Sequence, residues 1–242
     1  MRSPNFIGVG TQKSGTSWAY FQLLKHPQIK FPLVKSRVKK EFHFFDFFKV
    51  SSYEYFNKFN KIPSQYKTGE FTPGYFSVPY VPELINSFCP NAKLFVIFRN
   101  PVERAFSQYR DHLFLGKIPK NTSFRVAFDE DYPKERYCTI KERGLYFTQL
   151  KKWKYSNIKI FWYDDLIINP VKFIRELYSW VEVDSSFLHK NYLKRIIKKY
   201  NIVFRDMKIT EEDKKYVSEF YKEEILNLGE ITKRDLSKWL TK

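Results

Sequence analysis

The chain's clearest chemical signal is a lysine inside a glycine-bounded run, Gly10-Thr11-Gln12-Lys13-Ser14-Gly15-Thr16-Ser17-Trp18. Gly10 and Gly15 allow backbone angles and close approaches that a side chain forbids, so the loop can turn its N–H groups inward around an anion. Lys13 adds a full positive charge on a flexible stem, and the hydroxyls of Ser14, Thr16 and Ser17 add donors. The order is not that of a triphosphate loop, G-x-x-x-x-G-K-[ST], where the lysine follows the second glycine. Here Thr16 holds that place. A second cationic candidate is Arg99, whose guanidinium can fork onto a phosphate, with Ser107 about two turns further on as a second donor. The alternative, that Arg99 pairs with a neighbouring carboxylate, stays open. Glu41 and His43 stand in Lys40-Glu41-Phe42-His43-Phe44-Phe45-Asp46. If that segment is extended, Glu41, His43 and Phe45 share one face, and Phe42 and Phe44 the other.

The surrounding pattern supplies elements that can position these groups. Phe6 to Val9 is short, apolar and uncharged, the mark of a buried strand, and Thr16 begins a helical pattern whose positive N-terminal end favours an anion. Lys93 to Phe98 is apolar throughout from Leu94, as expected of a parallel strand covered on both faces. Asn100-Pro101-Val102-Glu103 then opens a helix, with Asn at the N-cap, Pro at the first position and Glu as in a capping box. Val102, Phe106, Tyr109 and Leu113 form its buried stripe. Helices are also expected over residues 52–59, 82–88, 144–155, 171–181 and 210–226, with a last short piece over 235–240. Strands are expected over 66–71, the latter ending in the turn Thr72-Pro73-Gly74, and over 158–163. Strands alternating with helices predict an α/β fold with a central, mostly parallel sheet, whose ligands sit at the carboxyl ends of the strands.

At 242 residues the chain has length for one α/β domain. A formal net charge of +17, from 43 basic and 26 acidic residues, suits an anionic partner. Lys30, Lys35, Arg37, Lys39 and Lys40 fall close together, and Lys190, Lys194, Arg195, Lys198 and Lys199 form a second cluster. Cys89 and Cys138 are far apart and lack metal-ligand spacing, so two reduced, packed thiols are expected. No signal peptide or membrane anchor is read at the N-terminus. A complete protein of this sequence is expected to be cytoplasmic, and a Golgi location follows only for a fragment.

The loop pattern G-x-x-K-[ST]-G-[ST]-[ST] resembles the 5′-phosphosulfate loop of sulfotransferases that use 3′-phosphoadenosine 5′-phosphosulfate (PAPS). Phe98 to Tyr109 resembles their 3′-phosphate motif, in which the residues matching Arg99 and Ser107 grip that phosphate. Glu41-Phe42-His43-Phe44-Phe45-Asp46 resembles the segment of heparan sulfate 3-O- and N-sulfotransferases that carries the catalytic glutamate. Gly69-Glu70-Phe71-Thr72-Pro73-Gly74-Tyr75-Phe76 resembles their next block. Gly144-Leu145-Tyr146 and the stretch from Ile158 to Leu166 follow in order, so the resemblance covers about residues 5–182. It implies a P-loop-like sulfotransferase fold in a single domain over 1–242, with the C-terminal helical part at about 183–242.

The resemblance further implies in-line transfer of a sulfuryl group from PAPS to a hydroxyl or amine, with no metal required. Lys13, Ser14, Gly15, Thr16, Ser17 and Trp18 would hold the 5′-phosphosulfate, and Lys13 would neutralise charge on the leaving oxygen. Glu41 would be the general base, its pKa raised by the flanking phenylalanines, with His43 orienting the acceptor or serving as the base itself. An anionic glycan is the expected acceptor, met by Lys35, Lys39, Lys40 and Tyr75; nucleic acid is not expected. Two departures stand out. The glycan enzymes usually have a lysine where this chain has Phe71, for which Lys40 or Lys39 are candidate substitutes. Their disulfide-closed loop and Lys-Gly-Arg are missing, with the Lys190–Lys199 cluster and Arg205 the candidate replacement. The rivals are a P-loop nucleotide kinase, which needs a lysine after Gly15 and a metal-binding aspartate, and a nonenzymatic polyanion- or nucleic-acid-binding module.

Overall fold

Leu94 to Phe98 carry no polar side chain, and the strand they help form, β3 (Lys93–Phe98), is buried along those five residues. It lies beside β1 (Phe6–Gly10), and these two are the inner strands of a four-stranded sheet in the order β2-β1-β3-β4. β2 is Gly69–Phe71 and β4 is Ile158–Trp162, and every pairing is parallel. In the register Gly8 stands between Phe71 and Phe95. A Cβ there would lie 2.7 Å from the Phe71 ring and 2.9 Å from that of Phe95, so only glycine lets the two aromatics close over the strand.

The computed structural model describes residues 1–33, 40–48, 50–134, 137–153, 157–189 and 207–240. Its chain divides into two compact units, Met1–Phe98 with Tyr155–Lys198 and Arg99–Lys154 with Lys199–Lys242. The first holds the whole sheet. Its helices are α1 (Thr16–Leu24), α2 (Phe44–Phe47), α3 (Ser52–Asn60) and α4 (Val81–Phe88). Beyond β4 come α8 (Tyr163–Ile168) and α9 (Pro170–Trp180). Trp18, Leu23, Phe95, Phe161, Phe173 and Leu177 belong to one buried apolar cluster on the sheet.

The second unit contains α5 (Pro101–Phe114), α6 (Phe124–Asp129), α7 (Tyr146–Leu150) and α10 (Glu211–Thr232). α5 buries Val102, Phe106, Tyr109 and Leu113 as its spacing predicts. Asn100 Oδ1 accepts from the N–H groups of Val102 and Glu103, so the N-cap is present. Gly144 packs on Tyr221 of α10, where a Cβ would lie 2.5 Å from the ring. Among the described residues, no helix is long and apolar enough to cross a membrane.

Several boundaries differ from the sequence reading. The strand expected over 66–71 is only Gly69–Phe71. The helix expected from Gly144 begins at Tyr146 and tightens to a 3-10 turn over Lys151–Trp153. α10 runs to Thr232, six residues past the expected end, and Leu228 continues its buried stripe there. The short helices α6 and α8 were not anticipated. Their apolar stripes are too brief to show a period.

Candidate functional site

Lys13 and Gly15 both adopt left-handed backbone angles, φ +70° and +88°. Gly15 is required there, since a Cβ would also lie 2.9 Å from Leu166. The loop is locked from inside. The Thr11 hydroxyl donates to the Ile97 carbonyl at 3.0 Å and therefore takes the Ser14 hydroxyl proton, at 2.7 Å. Ser14 is fully buried. Its hydroxyl, expected as a donor to a ligand, is spent on the loop itself. The Trp18 ring likewise sits in the core, edge-on to Phe173 at 5.9 Å. What remains for an anion is the start of α1. No side chain caps it and no acidic residue lies in its first turn. The Ala19 N–H is answered by the Gly15 carbonyl at 3.1 Å. Thr16 and Ser17 stand at the positive end of the helix dipole, where backbone N–H groups can meet an anion, with Lys13 beside them. This cradle fits a phosphate-like anion.

The segment 41–46 is not extended. His43 has φ +52° and caps α2, so the alternation of Glu41, His43 and Phe45 on one face is overturned at Phe45. Phe45 is fully buried, edge-on to Tyr55 and Tyr75. Glu41 and His43 still meet, with His43 Nε2 3.3 Å from Glu41 Oε2. The other ring nitrogen, Nδ1, is 2.8 Å from Asp46 Oδ2. Burial alone would lower the His43 pKa, but hydrogen bonds to Asp46 and Glu41 dominate and push it up to about 9. Asp46 is a site residue that sequence reasoning did not assign. A helical rather than extended reading would have exposed its His-x-x-Asp spacing, which puts both side chains on one turn.

Lys40 is buried, with its ammonium 3.7 Å from Glu41 Oε1 and 5.9 Å from the centre of the Phe71 ring. Burial lowers its pKa to about 8, Glu41 counteracts this, and the nearby charge of Lys13 lowers it further. Lys40 therefore belongs with Lys13 and Glu41 rather than on an open basic surface. Tyr75, expected to meet the acceptor, has no exposed surface, and its hydroxyl lies 3.4 Å from both oxygens of Glu70. Lys35, Lys39 and the cluster Lys190–Lys199 with Arg205 lie outside the described residues.

In the second unit, Arg99 does pair with a neighbouring carboxylate. Its Nε and Nη2 donate to Glu103 Oε2 at 3.2 and 3.0 Å. The Glu103 carboxylate is thus turned to Arg99, and only the Asn100 half of the expected capping box forms. Tyr146 donates to the Arg99 carbonyl at 2.9 Å, fixing the backbone that presents the guanidinium. Arg99 and Arg110 both line a cavity of about 510 Å³, together with Lys214, Lys238 and Trp239. Burial, and then the charge of Arg99, lowers the Arg110 pKa. Such a set of cations can take a multiply charged anion. Ser107 is partly buried on the same helix. Both cysteines are free and buried.

Comparison with known proteins agrees with this chemistry. The membrane-associated sulfotransferase kil1 of Dictyostelium discoideum is 36% identical over 130 residues, 52% of this chain and 26% of that protein. Heparan sulfate glucosamine 3-O-sulfotransferase 6 of Homo sapiens is 33% identical over 159 residues, 63% of this chain and 43% of that protein. The chain thus spans less than half the length of these relatives. A sulfotransferase from Alicyclobacillus acidocaldarius has the same fold, with a TM-score of 0.81 at 24% identity, covering 99% of each chain. Mouse sulfotransferase SULT7A1, complexed with PAP (3′-phosphoadenosine 5′-phosphate), aligns with a TM-score of 0.62 at 16% identity over 96% of this chain and 89% of its own. The model of the sulfotransferase domain matches residues 3–239, nearly the whole chain, and with it the chain belongs to the sulfotransferase domain family.

Proposed function

We propose that this chain transfers a sulfuryl group from PAPS to a hydroxyl or amine of an anionic glycan, with Glu41 as the general base. The observation that carries the reading is the uncapped start of α1 behind Lys13, in the same unit as the Lys40–Glu41–His43–Asp46 constellation. PAPS supplies an activated sulfuryl group on a phosphate leaving group. The backbone donors of Thr16 and Ser17, with Lys13, hold the 5′-phosphosulfate. Arg99 and Ser107 hold the 3′-phosphate, so that binding energy remote from sulfur orients the donor. The chain is read as one functional domain over 1–242, with its PAPS-binding core at about 5–182.

Glu41 accepts the acceptor's proton as its oxygen or nitrogen attacks sulfur and the bond from sulfur to the phosphate oxygen breaks. His43, raised to about 9, carries a proton at neutral pH and cannot itself accept one, which favours Glu41 as the base. Its role is to orient the carboxylate between itself and Lys40. Lys13 neutralises charge growing on the leaving oxygen. A glycan acceptor is supported by the excess of basic residues and by the heparan sulfate enzymes among the relatives. Thermal shift tests the donor site: PAP is expected to stabilise the protein, and stabilisation only by ATP with magnesium would overturn the reading.

A further inference from the structure

Glu70 is a fully buried carboxylate on β2, and three hydroxyl groups converge on it. Tyr55 donates to Oε1 at 2.6 Å, Thr72 donates to Oε2 at 3.0 Å, and the Tyr75 hydroxyl lies 3.4 Å from both oxygens. Each hydroxyl has a single proton, so donation to the carboxylate leaves only lone pairs for its other neighbours. For Thr72 and Tyr75 those neighbours are backbone amides of the acceptor-side segment. Phe42 N donates to Thr72 Oγ1 at 3.1 Å, and Phe44 N donates to the Tyr75 oxygen at 3.0 Å. The two amides flank His43, which sits at φ +52° in a backbone region that non-glycine residues occupy only when their surroundings hold them there.

We propose that Glu70 is a positioning residue, which through Thr72 on one arm and Tyr75 on the other clamps the backbone on both sides of His43 and so sets the Glu41–His43 contact. The clamp is built from the next block of the sequence. β2 ends at Phe71, and the turn that follows points Thr72 and Tyr75 back under residues 42–45. Burial pushes the Glu70 pKa up to about 7, and the hydrogen bonds from Tyr55 and Thr72 act against that. Asp46, Tyr75 and Cys89 are the other titratable groups coupled to it. The ionised carboxylate is the form that orients both hydroxyls, since a protonated one would compete for a lone pair.

Glu41 acts on an acceptor only under the proposed transfer reaction, whereas its contact with His43 exists without it, so the test reads both. The full chain is compared with Thr72→Val, Thr72→Ser, Tyr75→Phe and Glu70→Gln by NMR titration of the His43 ring, calorimetry with PAP, and turnover. In Thr72→Val and Tyr75→Phe the His43 midpoint is expected to fall by about one unit or more, because the contact with Glu41 loosens. Thr72→Ser keeps the hydroxyl and should titrate as the parent does. Affinity for PAP should stay within about twofold in all of them while kcat falls about tenfold in Thr72→Val. Glu70→Gln, which replaces an acceptor oxygen by a donor, should shift His43 in the same direction. It carries the test if the valine variant does not fold. An unchanged His43 midpoint in folded Thr72→Val, Tyr75→Phe or Glu70→Gln overturns the clamp. A parent protein that does not bind PAP would instead overturn the sulfotransferase reading, and the His43 titration would still decide the clamp.

Discussion

His43 stands between two carboxylates, its Nε2 3.3 Å from Glu41 and its Nδ1 2.8 Å from Asp46. A ring held this way has a donor at each nitrogen, so its useful state is the protonated one. With Lys40 3.7 Å from the other oxygen of Glu41, the proposed reaction assigns to Glu41 the proton of the incoming acceptor.

Replacing Glu41 with Gln should leave PAP affinity unchanged and lower kcat by about 100-fold or more, the usual span of general base catalysis. His43→Asn should lower kcat less, since it removes an orienting group. Calorimetry with PAP beside steady-state kinetics checks both. Full turnover by Glu41→Gln would move the base to another residue.

The His43 charge also bears on stability. Its folded pKa, about 9, lies above its ordinary value of 6.5. The stabilising contribution is therefore complete below pH 6.5, declines above it, and is lost as pH rises through about 9. The difference in Tm between the parent and His43→Asn should accordingly be largest in mild acid and vanish in alkali. A difference that grows with pH would contradict the ion pairing.

Arg99 is engaged by Glu103 before any ligand arrives. Arg99→Ala should weaken PAP binding about 10- to 100-fold, as expected for a lost charge-assisted contact. Glu103 is largely exposed, so its ion pair is weak, and Glu103→Gln should tighten PAP binding by about two- to fivefold. Calorimetry at low salt resolves both, and unchanged affinity in Arg99→Ala would remove Arg99 from the site.

Gly15→Ala tests the cradle. Holding a side chain at φ +88° costs about 1–2 kcal/mol. The contact with Leu166 adds to it, and the loop should lose PAP binding altogether. Chemical denaturation and calorimetry on one preparation separate the two effects.

The inner strands, α1 and α5 were legible because glycine, proline and unbroken apolar runs are local signals. Asn100 announced its own cap, and Val102 to Leu113 their own stripe. The acceptor side was less legible for a physical reason. Lys40-Glu41-Phe42-His43-Phe44-Phe45-Asp46 alternates as a strand would, yet the amides of Phe42 and Phe44 are taken by Thr72 and Tyr75, some thirty residues away. That long-range bonding overrides the local pattern, turns His43 left-handed and brings Asp46 beneath it. The buried state of Lys40 and Tyr75 also depends on contacts across the fold. Neither is visible in residue type.

The central claim is transfer from PAPS with Glu41 as the base. Its most direct test is incubation of the full chain with PAPS labelled with sulfur-35 and a heparan-type glycan, followed by counting of the recovered polysaccharide. Label on the glycan with the parent protein, and background counts with Glu41→Gln and Lys13→Ala, is the predicted result. Background counts with the parent on every hydroxyl- and amine-bearing acceptor tried, or equal counts with Glu41→Gln, would contradict it.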